Sequence, residues 1–320
     1  MTIIDRDTPR RTRLAPSPTG ALHLGNARTF LINWAIARQQ GWSILLRIED
    51  LDGPRIKPGA AADTIDLLTW LGIDWDEGPL VQSDDLEPYR AAMRVLAERG
   101  LAYACSLSRK DIEAAASAPQ EGAEETRFPP SLRPSPAPSG PFHNDETNWR
   151  LLTHESETVS FDDRFAGPQA RTPADSVGDF VVWTKRSQPS YQLAVVVDDA
   201  RQGVTDIVRG DDLLDSAARQ RLLYDRLKLE PVPHYWHLPL VLGPDGRRLA
   251  KRHGDTRLTR YRDAGVPAER VIGLCAHWCG LTTTPAPMDT NAFLDAFDPD
   301  SMPRGAVTCT PQHDAWLKQA

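Results

Sequence analysis

The residues best suited to chemistry lie in a loop rich in proline and glycine near the start of the chain. The sequence RLAPSPTGALHLGN occupies residues 13–26, between a short apolar stretch and an apolar pattern with helical spacing. Free N–H groups and a partial positive charge at a helix start attract anions. His23 can donate to a phosphate oxygen, and Gly25 lets a nucleotide approach the backbone. The loop predicts a phosphate site; a turn with a surface histidine is the simpler alternative.

A second segment, RRLAKRHG at 247–254, follows an apolar run and a Gly-Pro-Asp-Gly turn. Together the two segments resemble the paired signatures of class I aminoacyl-tRNA synthetases in their glutamyl form. Alone, the second segment would be read as a solvated basic turn. The resemblance implies that His23 and Lys251 are catalytic and that Lys251 neutralises ATP phosphates, with Mg²⁺ arriving on ATP. The implied ATP-binding residues are Pro18, Gly20, His23, Gly25, Asn26, Arg248 and Lys251.

Charged side chains at the ends of predicted strands suit an amino acid with two carboxylates. An arginine fork can hold a carboxylate, and a glutamate side chain can accept an ammonium group. The glutamyl family has such residues at positions that match this chain, which implies a glutamate pocket. Singly, each residue would be read as a surface charge or an ion pair. The implied glutamate-binding residues are Arg13, Ser17, Glu49, Tyr191 and Arg209.

The resemblance is strongest to the short paralogues that attach glutamate to queuosine in tRNA(Asp). Only 68 residues follow Arg252, at 253–320, too few for the anticodon-binding region of glutamyl-tRNA synthetases. The resemblance implies glutamate activation by ATP without tRNA, then transfer to queuosine in the anticodon loop of tRNA(Asp). Three alternatives stay open: a reduced glutamyl-tRNA synthetase, a silent tRNA-binding paralogue, and another nucleotidyltransferase with the same signatures.

A local basic segment predicts contact with tRNA. Residues 247–262 hold seven Lys or Arg and one acidic residue, within a chain of net charge −7. A local excess of this kind can focus a positive potential even when the whole chain is acidic. Arg257, Arg260 and Arg262 exceed the needs of a nucleotide site and are the candidates for phosphate contacts. A solvated helix face is the alternative.

Composition excludes several broad classes. The 320 residues are 40% hydrophobic and 25% charged, which is ordinary for a globular protein and contrary to global disorder. The acidic total excludes a wholly basic nucleic-acid coat, and no apolar run is long enough to cross a membrane. The first residues hold no apolar signal segment, which predicts a cytoplasmic protein. We also expect a monomer.

The cysteines predict neither disulfides nor a structural zinc. Many members of the paralogue family bind zinc through Cys-x-Cys and a later Tyr-x-x-x-Cys. Here Cys105 matches the first thiolate, but Leu107 stands at the second, and leucine cannot ligate a metal. Cys275 and Cys279 lie in an apolar, helix-like stretch beside His277, where buried core cysteines are the more common interpretation.

The elements that must position these residues alternate in the first hundred residues. Predicted strands at 11–14 and 43–48 are each followed by helical spacing, with stops at Gly41, Gly72 and Gly100. This alternation predicts a parallel α/β sheet. Later patterns predict strands at 149–153, 159–165, 192–199, 204–210 and 237–242, and a helix at 213–227. Residues 111–148, rich in proline, alanine and serine, predict an irregular surface segment.

The expected fold is therefore α/β, a Rossmann-like class I synthetase domain with an inserted α+β subdomain and a short C-terminal helical segment. The expected ranges are 1–104 for the first half of the catalytic core, 105–185 for an inserted acceptor-type subdomain, 186–258 for the second half with the lysine signature, and 259–320 for a helical stem-contact-like segment.

Overall fold

Strands and helices alternate from residue 11 onward in the computed structural model. It describes residues 9–18, 21–51, 56, 58–115, 126–135, 140–143, 146–247, 249 and 256–319. The first elements are β1 (Arg11–Leu14), α1 (Leu24–Gln40), β2 (Ser43–Ile48), α2 (Ala60–Trp70), β3 (Glu77–Val81) and α3 (Glu87–Glu98). The three strands pair in parallel in the order β1–β2–β3. The strand and helix alternation predicted from the sequence is confirmed here.

The middle of the chain adds eight short elements between residues 102 and 189. They are β4 (Ala102–Cys105), α4 (Arg109–Ala115), β5 (Asn148–Leu151), β6 (Val159–Asp163), β7 (Gly167–Arg171), α5 (Pro173–Ser176), β8 (Phe180–Thr184) and β9 (Gln188–Pro189). Four of these strands form an antiparallel sheet in the order β4–β5–β8–β9. The other two, β6 and β7, form a hairpin.

The second half of the parallel sheet follows. Its elements are α6 (Tyr191–Arg201), β10 (Asp206–Gly210), α7 (Leu214–Leu227), β11 (His234–Leu238) and β12 (Val241–Leu242). Strands β10 and β11 pair in parallel, and β11 also pairs with β6. The N–H of Thr205 donates to the carbonyl of Arg11 at 2.9 Å, which joins the two halves. The strands form two sheets, β3–β2–β1 and β10–β11–β6–β7, which meet where β1 lies beside β10. This Rossmann-like arrangement confirms the α/β fold class.

The helix α6 corrects one prediction, because the run QLAVVVDD was expected to be a strand. Ser190 caps the helix by accepting from the N–H of Leu193 at 3.5 Å. All residues from Gln192 to Ala200 are buried. A helix buried on every side has no polar face, so its sequence reads like a buried strand. The apolar character of QLAVVVDD therefore reflects complete burial of the helix and not a β-strand.

Two further sequence patterns needed adjustment. The apolar run at 237–242 is divided by Pro239, so β11 ends at Leu238 and β12 begins at Val241. The carbonyl of Pro239, which lies between the two strands, accepts instead from the buried Arg28 at 2.7 Å. Of the stretch 111–148, the structure describes residues 111–115, 126–135, 140–143 and 146–148. Apart from α4, a 3₁₀ turn at Pro130–Leu132 and the start of β5, these described residues are irregular, but they are not only surface, because Phe128 is 1% exposed.

The C-terminal part is helical, as expected. It contains α8 (Leu258–Asp263), α9 (Ala268–Trp278), α10 (Thr290–Ala296), β13 (Val307–Thr308) and α11 (Pro311–Lys318). Strand β13 pairs in parallel with β12, which attaches the end of the chain to the catalytic core. Cys275 and Cys279 are buried in the core that α9 shares with α1. No helix among the described residues is both long and apolar enough to cross a membrane.

The position where a zinc ligand was sought is an apolar cluster. Cys105 is 6% exposed and lies in a small core with Tyr103, Ile112 and Phe128, against which Leu107 packs. None of the described residues forms a group of three or more His, Cys, Asp or Glu side chains able to hold a metal. The absence of a structural zinc stays a prediction.

Asp179 organises this part of the fold. Its side chain is fully buried and accepts from the Tyr103 hydroxyl at 2.6 Å, from two nitrogens of Arg133 at 2.7 and 2.8 Å, and from Thr153 N–H at 2.8 Å. Burial opposes ionisation, but the hydrogen bonds from Arg133 and Tyr103 outweigh it and lower the pKa of Asp179. A satisfied buried carboxylate therefore connects β4, β5 and β8.

Replacement of Asp179 by alanine should lower the free energy of unfolding by about 2–4 kcal/mol, because it leaves buried donors without an acceptor. Urea unfolding measures this loss. The control is Asp175→Ala, whose exposed carboxylate lies near Arg127 at 3.9 Å and should change stability by less than about 0.5 kcal/mol. Equal effects of the two variants would contradict the central role of Asp179.

Candidate active site

A cleft opens where β1, β2 and β10 end and α1 begins. It encloses about 850 Å³, including solvent at its mouth. Ligands bind at this edge in open α/β sheets, because the loops beyond the carboxyl ends of the strands converge there. Seven predicted site residues line the cleft: Arg13, His23, Gly25, Asn26, Glu49, Tyr191 and Arg209. The fold thus brings together residues that are up to 196 positions apart in the sequence.

The start of α1 has an unusual cap. His23 is the N-cap residue, and its Nδ1 accepts from the N–H of Gly25 at 3.1 Å. In return, the side-chain oxygen of Asn26 accepts from the N–H of His23 at 3.1 Å. Because Nδ1 is an acceptor, the neutral imidazole carries its proton on Nε2. His23 is therefore a hydrogen-bond donor at a helix N-terminus, as an oxyanion requires.

Gly25 has a second reason to be glycine. A Cβ atom at this position would lie 3.0 Å from Cε1 and 3.1 Å from Nδ1 of His23. Such contacts are tighter than ordinary packing allows, so a side chain would displace the ring or break the cap. The imidazole of His23 therefore occupies the space that a side chain at position 25 would need.

Three predicted ATP residues, Gly20, Arg248 and Lys251, lie outside the described residues. The chain on both sides of 250–255 is described, however. Leu249 is 3% exposed and its N–H donates to the carbonyl of Val241. Beyond the segment, Thr256 accepts from the N–H of Leu24 at 3.2 Å, and the N–H of Leu258 donates to Leu22 at 2.8 Å. Both flanks therefore pack beside the start of α1.

Glu49 is held by a buried arginine that the sequence analysis did not single out. Arg47, in the middle of β2, is fully buried and donates to Glu49 at 2.9 Å and to Asp199 at 2.7 Å. Burial disfavours the charged forms, yet the charges of Asp199 and Glu49 keep the pKa of Arg47 raised. Burial also raises the pKa of Glu49, against the opposing effect of Arg47. The available signal was an arginine inside an otherwise apolar strand.

Arg13 joins the same group. Its Nε donates to Asp199 at 3.3 Å, and its side chain is 5% exposed. One carboxylate of α6 therefore holds two arginines, one from β1 and one from β2. Arg13 and Glu49 place opposite charges along one wall of the cleft, while Arg47 lies buried behind them.

Arg209 lies on the other wall with a donor still available. Its Nε donates to Nε2 of His237 at 3.0 Å, and its NH2 group donates to the carbonyl of Leu213 at 3.3 Å. Its NH1 group is buried and has no partner among the described residues. The guanidinium is also 5.2 Å from the ring centre of Tyr235. A buried arginine donor without a partner at a cleft is suited to an anionic ligand.

The other predicted residues differ in their relation to the cleft. Tyr191, the first residue of α6, is 41% exposed where it lines the cleft. Ser17 and Pro18 are not among the lining residues. Arg257 immediately precedes α8, which carries Arg260 and Arg262. The lining residues that the sequence analysis did not single out are Ala15, Thr29, Phe30, Val208, Gly210, Asp212, Leu213, Leu240 and Val241.

Comparisons with known proteins identify the family of the chain. Residues 10–288 match the family described as tRNA synthetases class I (E and Q), catalytic domain. The chain is 46% identical to a glutamyl-Q tRNA(Asp) synthetase of Rhodopirellula baltica over 280 residues, which are 84% of each chain. It is 45% identical to the Symbiobacterium thermophilum protein of the same name over 307 residues, 92% of this chain and 94% of that one.

A solved structure confirms the fold. The glutamate tRNA ligase of Elizabethkingia meningosepticum, crystallised with its amino acid, superposes with a TM-score of 0.76 over 97% of this chain and 69% of that chain, at 24% identity. Its likeness concerns the fold alone. From the sequence relatives and the family match, we conclude that the chain belongs to the class I tRNA synthetases for E and Q, within the family of the glutamyl-Q tRNA(Asp) synthetases, and is a ligase.

Proposed function

We propose that the chain activates glutamate with ATP in the absence of tRNA and transfers it to queuosine in tRNA(Asp). The observation that carries the first half is the cleft itself. It combines a helix N-terminus capped by His23 with two buried arginines, Arg13 and Arg209, and the carboxylate of Glu49, which is 12% exposed. The names of the relatives at 45–46% identity support the second half.

The charge pattern matches the three charged groups of glutamate. The carboxylate of Glu49 accepts the ammonium group, and Arg209 holds a substrate carboxylate through NH1, which has no partner among the described residues. Arg13 is held by Asp199 beside Glu49 and is placed for the other carboxylate. Tyr191 closes the pocket from the start of α6. Ser17, proposed from the family resemblance, would act from the loop after β1.

ATP would lie at the start of α1. His23 Nε2 is the proposed donor to a phosphate oxygen, and the dipole of α1 favours negative charge at the helix start. Asn26 and Gly25 line the same wall. The family resemblance adds Pro18, Gly20, Arg248 and Lys251. Mg²⁺ carried by the triphosphate would neutralise part of its charge.

The first reaction needs positioning and charge stabilisation. A carboxylate oxygen of glutamate attacks the α-phosphorus of ATP, a P–O bond forms, and the bond to pyrophosphate breaks. Charge moves onto the leaving pyrophosphate, where Lys251 and the His23 N–H stabilise it. In the second reaction a hydroxyl of queuosine attacks the activated carbonyl. An ester forms and AMP leaves.

Purified protein should catalyse glutamate-dependent exchange between ATP and pyrophosphate with no tRNA present. Labelled glutamate should then transfer to tRNA(Asp) that contains queuosine. The control is a tRNA(Asp) transcript that lacks queuosine but keeps an intact acceptor end. Exchange without tRNA is expected because four of the five proposed glutamate residues, Arg13, Glu49, Tyr191 and Arg209, already line the cleft in the chain alone.

The two measurements separate the alternatives. Exchange that occurs only with tRNA, or labelling of the transcript without queuosine, would favour a reduced glutamyl-tRNA synthetase that charges the acceptor end. Absence of both exchange and transfer would contradict the proposal and favour a silent tRNA-binding paralogue.

Replacement of Arg209 by alanine should lower kcat/KM for glutamate, because a substrate carboxylate would lose its partner in a desolvated pocket. The fall should correspond to a loss of about 2–5 kcal/mol in transition-state stabilisation. The KM for ATP should change little. Arg171→Ala is the matched control, since this arginine pairs with Asp215 at 3.0 Å on the surface. An equal loss for ATP in Arg209→Ala would assign Arg209 to the nucleotide.

The arginines near α8 are proposed to contact tRNA phosphates. Arg260 lies 3.5 Å from Asp314, and Arg262 lies 3.5 Å from Asp263, so part of their charge is balanced within the protein. Both side chains remain about one-third exposed. Ion pairs at 3.5 Å with partly exposed side chains are weak, so a tRNA phosphate could replace the aspartate partners.

Replacing Arg257, Arg260 and Arg262 together by glutamine should weaken tRNA binding and reduce the log–log salt slope by up to about three, since each phosphate contact contributes roughly one. Exchange activity should stay near normal. The control replaces three exposed arginines elsewhere, Arg90, Arg94 and Arg109, with the same change in net charge. The same salt slope in both triple variants would contradict a specific contact.

A further inference from the structure

Three buried side chains from adjacent strands form a hydrogen-bonded series behind the cleft. Asp163 ends β6, His237 lies in β11, and Arg209 lies in β10. Nδ1 of His237 is 2.6 Å from Oδ2 of Asp163, and Nε2 of His237 is 3.0 Å from Nε of Arg209. The side chains of Asp163 and His237 are fully buried. Only Arg209 reaches the cleft.

The chemistry of these groups fixes where the protons are. An arginine Nε is a donor and never an acceptor, so Nε2 of His237 must accept. The neutral ring then carries its proton on Nδ1 and donates it to Asp163. A second proton on the ring would point at the Arg209 Nε–H and remove the acceptor. Burial lowers the pKa of His237, and the charge of Arg209 acts in the same direction, whereas Asp163 and a hydrogen bond with the Leu213 backbone oppose this shift.

Asp163 is itself held in one orientation. Its Oδ1 accepts from the N–H groups of Phe165 at 3.0 Å, of Ala166 at 2.7 Å and of His237 at 3.1 Å. Its other oxygen therefore faces the imidazole. These backbone bonds distinguish the two oxygens, so they also determine which atom of an asparagine would face His237.

We propose that His237, oriented by Asp163, is a positioning residue for substrate. It binds Nε of Arg209 while the Leu213 carbonyl binds NH2, so that NH1 points to a carboxylate in the cleft. The inference rests on the proposed function of Arg209. It assigns to the β6–β7 hairpin, which belongs to the middle part of the chain, a role in amino-acid affinity. Asp163 and His237 touch no ligand and act only through Arg209.

The first test is Asp163→Asn, which has the same shape. Its amide oxygen would stay on the backbone N–H groups, and its NH₂ group would face the imidazole. That donor would force the proton of His237 onto Nε2, where it opposes the Arg209 Nε–H. We expect KM for glutamate in the exchange assay to rise by about 10- to 100-fold, with KM for ATP within about 2-fold. The control is Asp162→Asn, the exposed neighbouring carboxylate.

The second test is a pair of variants at His237. In His237→Gln the amide reaches the position of Nε2 and can accept from Arg209. In His237→Asn it occupies the position of Nδ1, donates to Asp163 and leaves Arg209 Nε without an acceptor. We expect KM for glutamate to rise at least about 5-fold more in the Asn variant than in the Gln variant. A merely structural role would make both variants similar in KM and different only in unfolding midpoint.

A double variant tests whether His237 acts through Arg209. If His237 acts through Arg209, His237→Asn should raise KM no further in an Arg209→Ala background. Additive losses there, or an unchanged KM for glutamate in Asp163→Asn, would overturn the inference. Failure of the proposed function has a different signature, namely an unchanged KM for glutamate in Arg209→Ala alone. If a His237 variant does not fold, the isosteric Asp163→Asn gives the decision.

Discussion

A fully buried arginine imposes the arrangement on which the candidate site depends. Arg47 lies inside β2, where its guanidinium has no access to water. An ionised group in such a place is tolerated only when charges and hydrogen bonds of the protein replace its hydration. Asp199 of α6 and Glu49 at the end of β2 supply the charges, and Gln202 supplies a carbonyl oxygen at 2.8 Å. The position of α6 over the sheet follows from this need.

The neighbouring carboxylate extends the same constraint to another helix. Asp198 accepts from the hydroxyl of Tyr89 in α3 at 2.8 Å and from Gln82 at 2.7 Å, while Asp199 accepts from Arg13 and Arg47 in the sheet. Two consecutive aspartates therefore connect a helix to both of its neighbours. The result is a rigid wall on which Arg13 and Glu49 have defined places, as a pre-organised pocket requires.

The two ends of the cleft use different physics. At the start of α1, the His23 imidazole and the helix dipole provide a neutral donor and a partial positive charge, which suit phosphates. Along β1, β2 and β10, the cleft offers full charges of both signs, which suit an amino acid. The segments before and after residues 250–255 pack against the first of these regions, and Arg209 belongs to the second. From the family to which the chain belongs, we propose that the first region holds ATP and the second holds the amino acid.

Much of this protein was predictable from local patterns. The strand SILLRI, the helix that ends at Gly41 and the loop before α1 each have a signal within a few residues, because capping, turns and periodicity are short-range effects. The site residues Arg13, His23, Glu49 and Arg209 were accessible because they follow such elements and match a family pattern. The ATP residues Gly20, Arg248 and Lys251 remain predictions of that pattern.

Tertiary structure alone decided the rest, for the reason that burial is a property of the whole fold. The run QLAVVVDD has the composition of a strand, yet packing on every side makes it a helix. Phe128 lies in an irregular stretch, yet it is a core residue. Arg47 and Arg209 each have a partner that is distant in the sequence: Asp199 is 152 positions from Arg47, and His237 is 28 positions from Arg209. Sequence patterns set which residues are polar or apolar, whereas only the folded chain determines which buried charges meet.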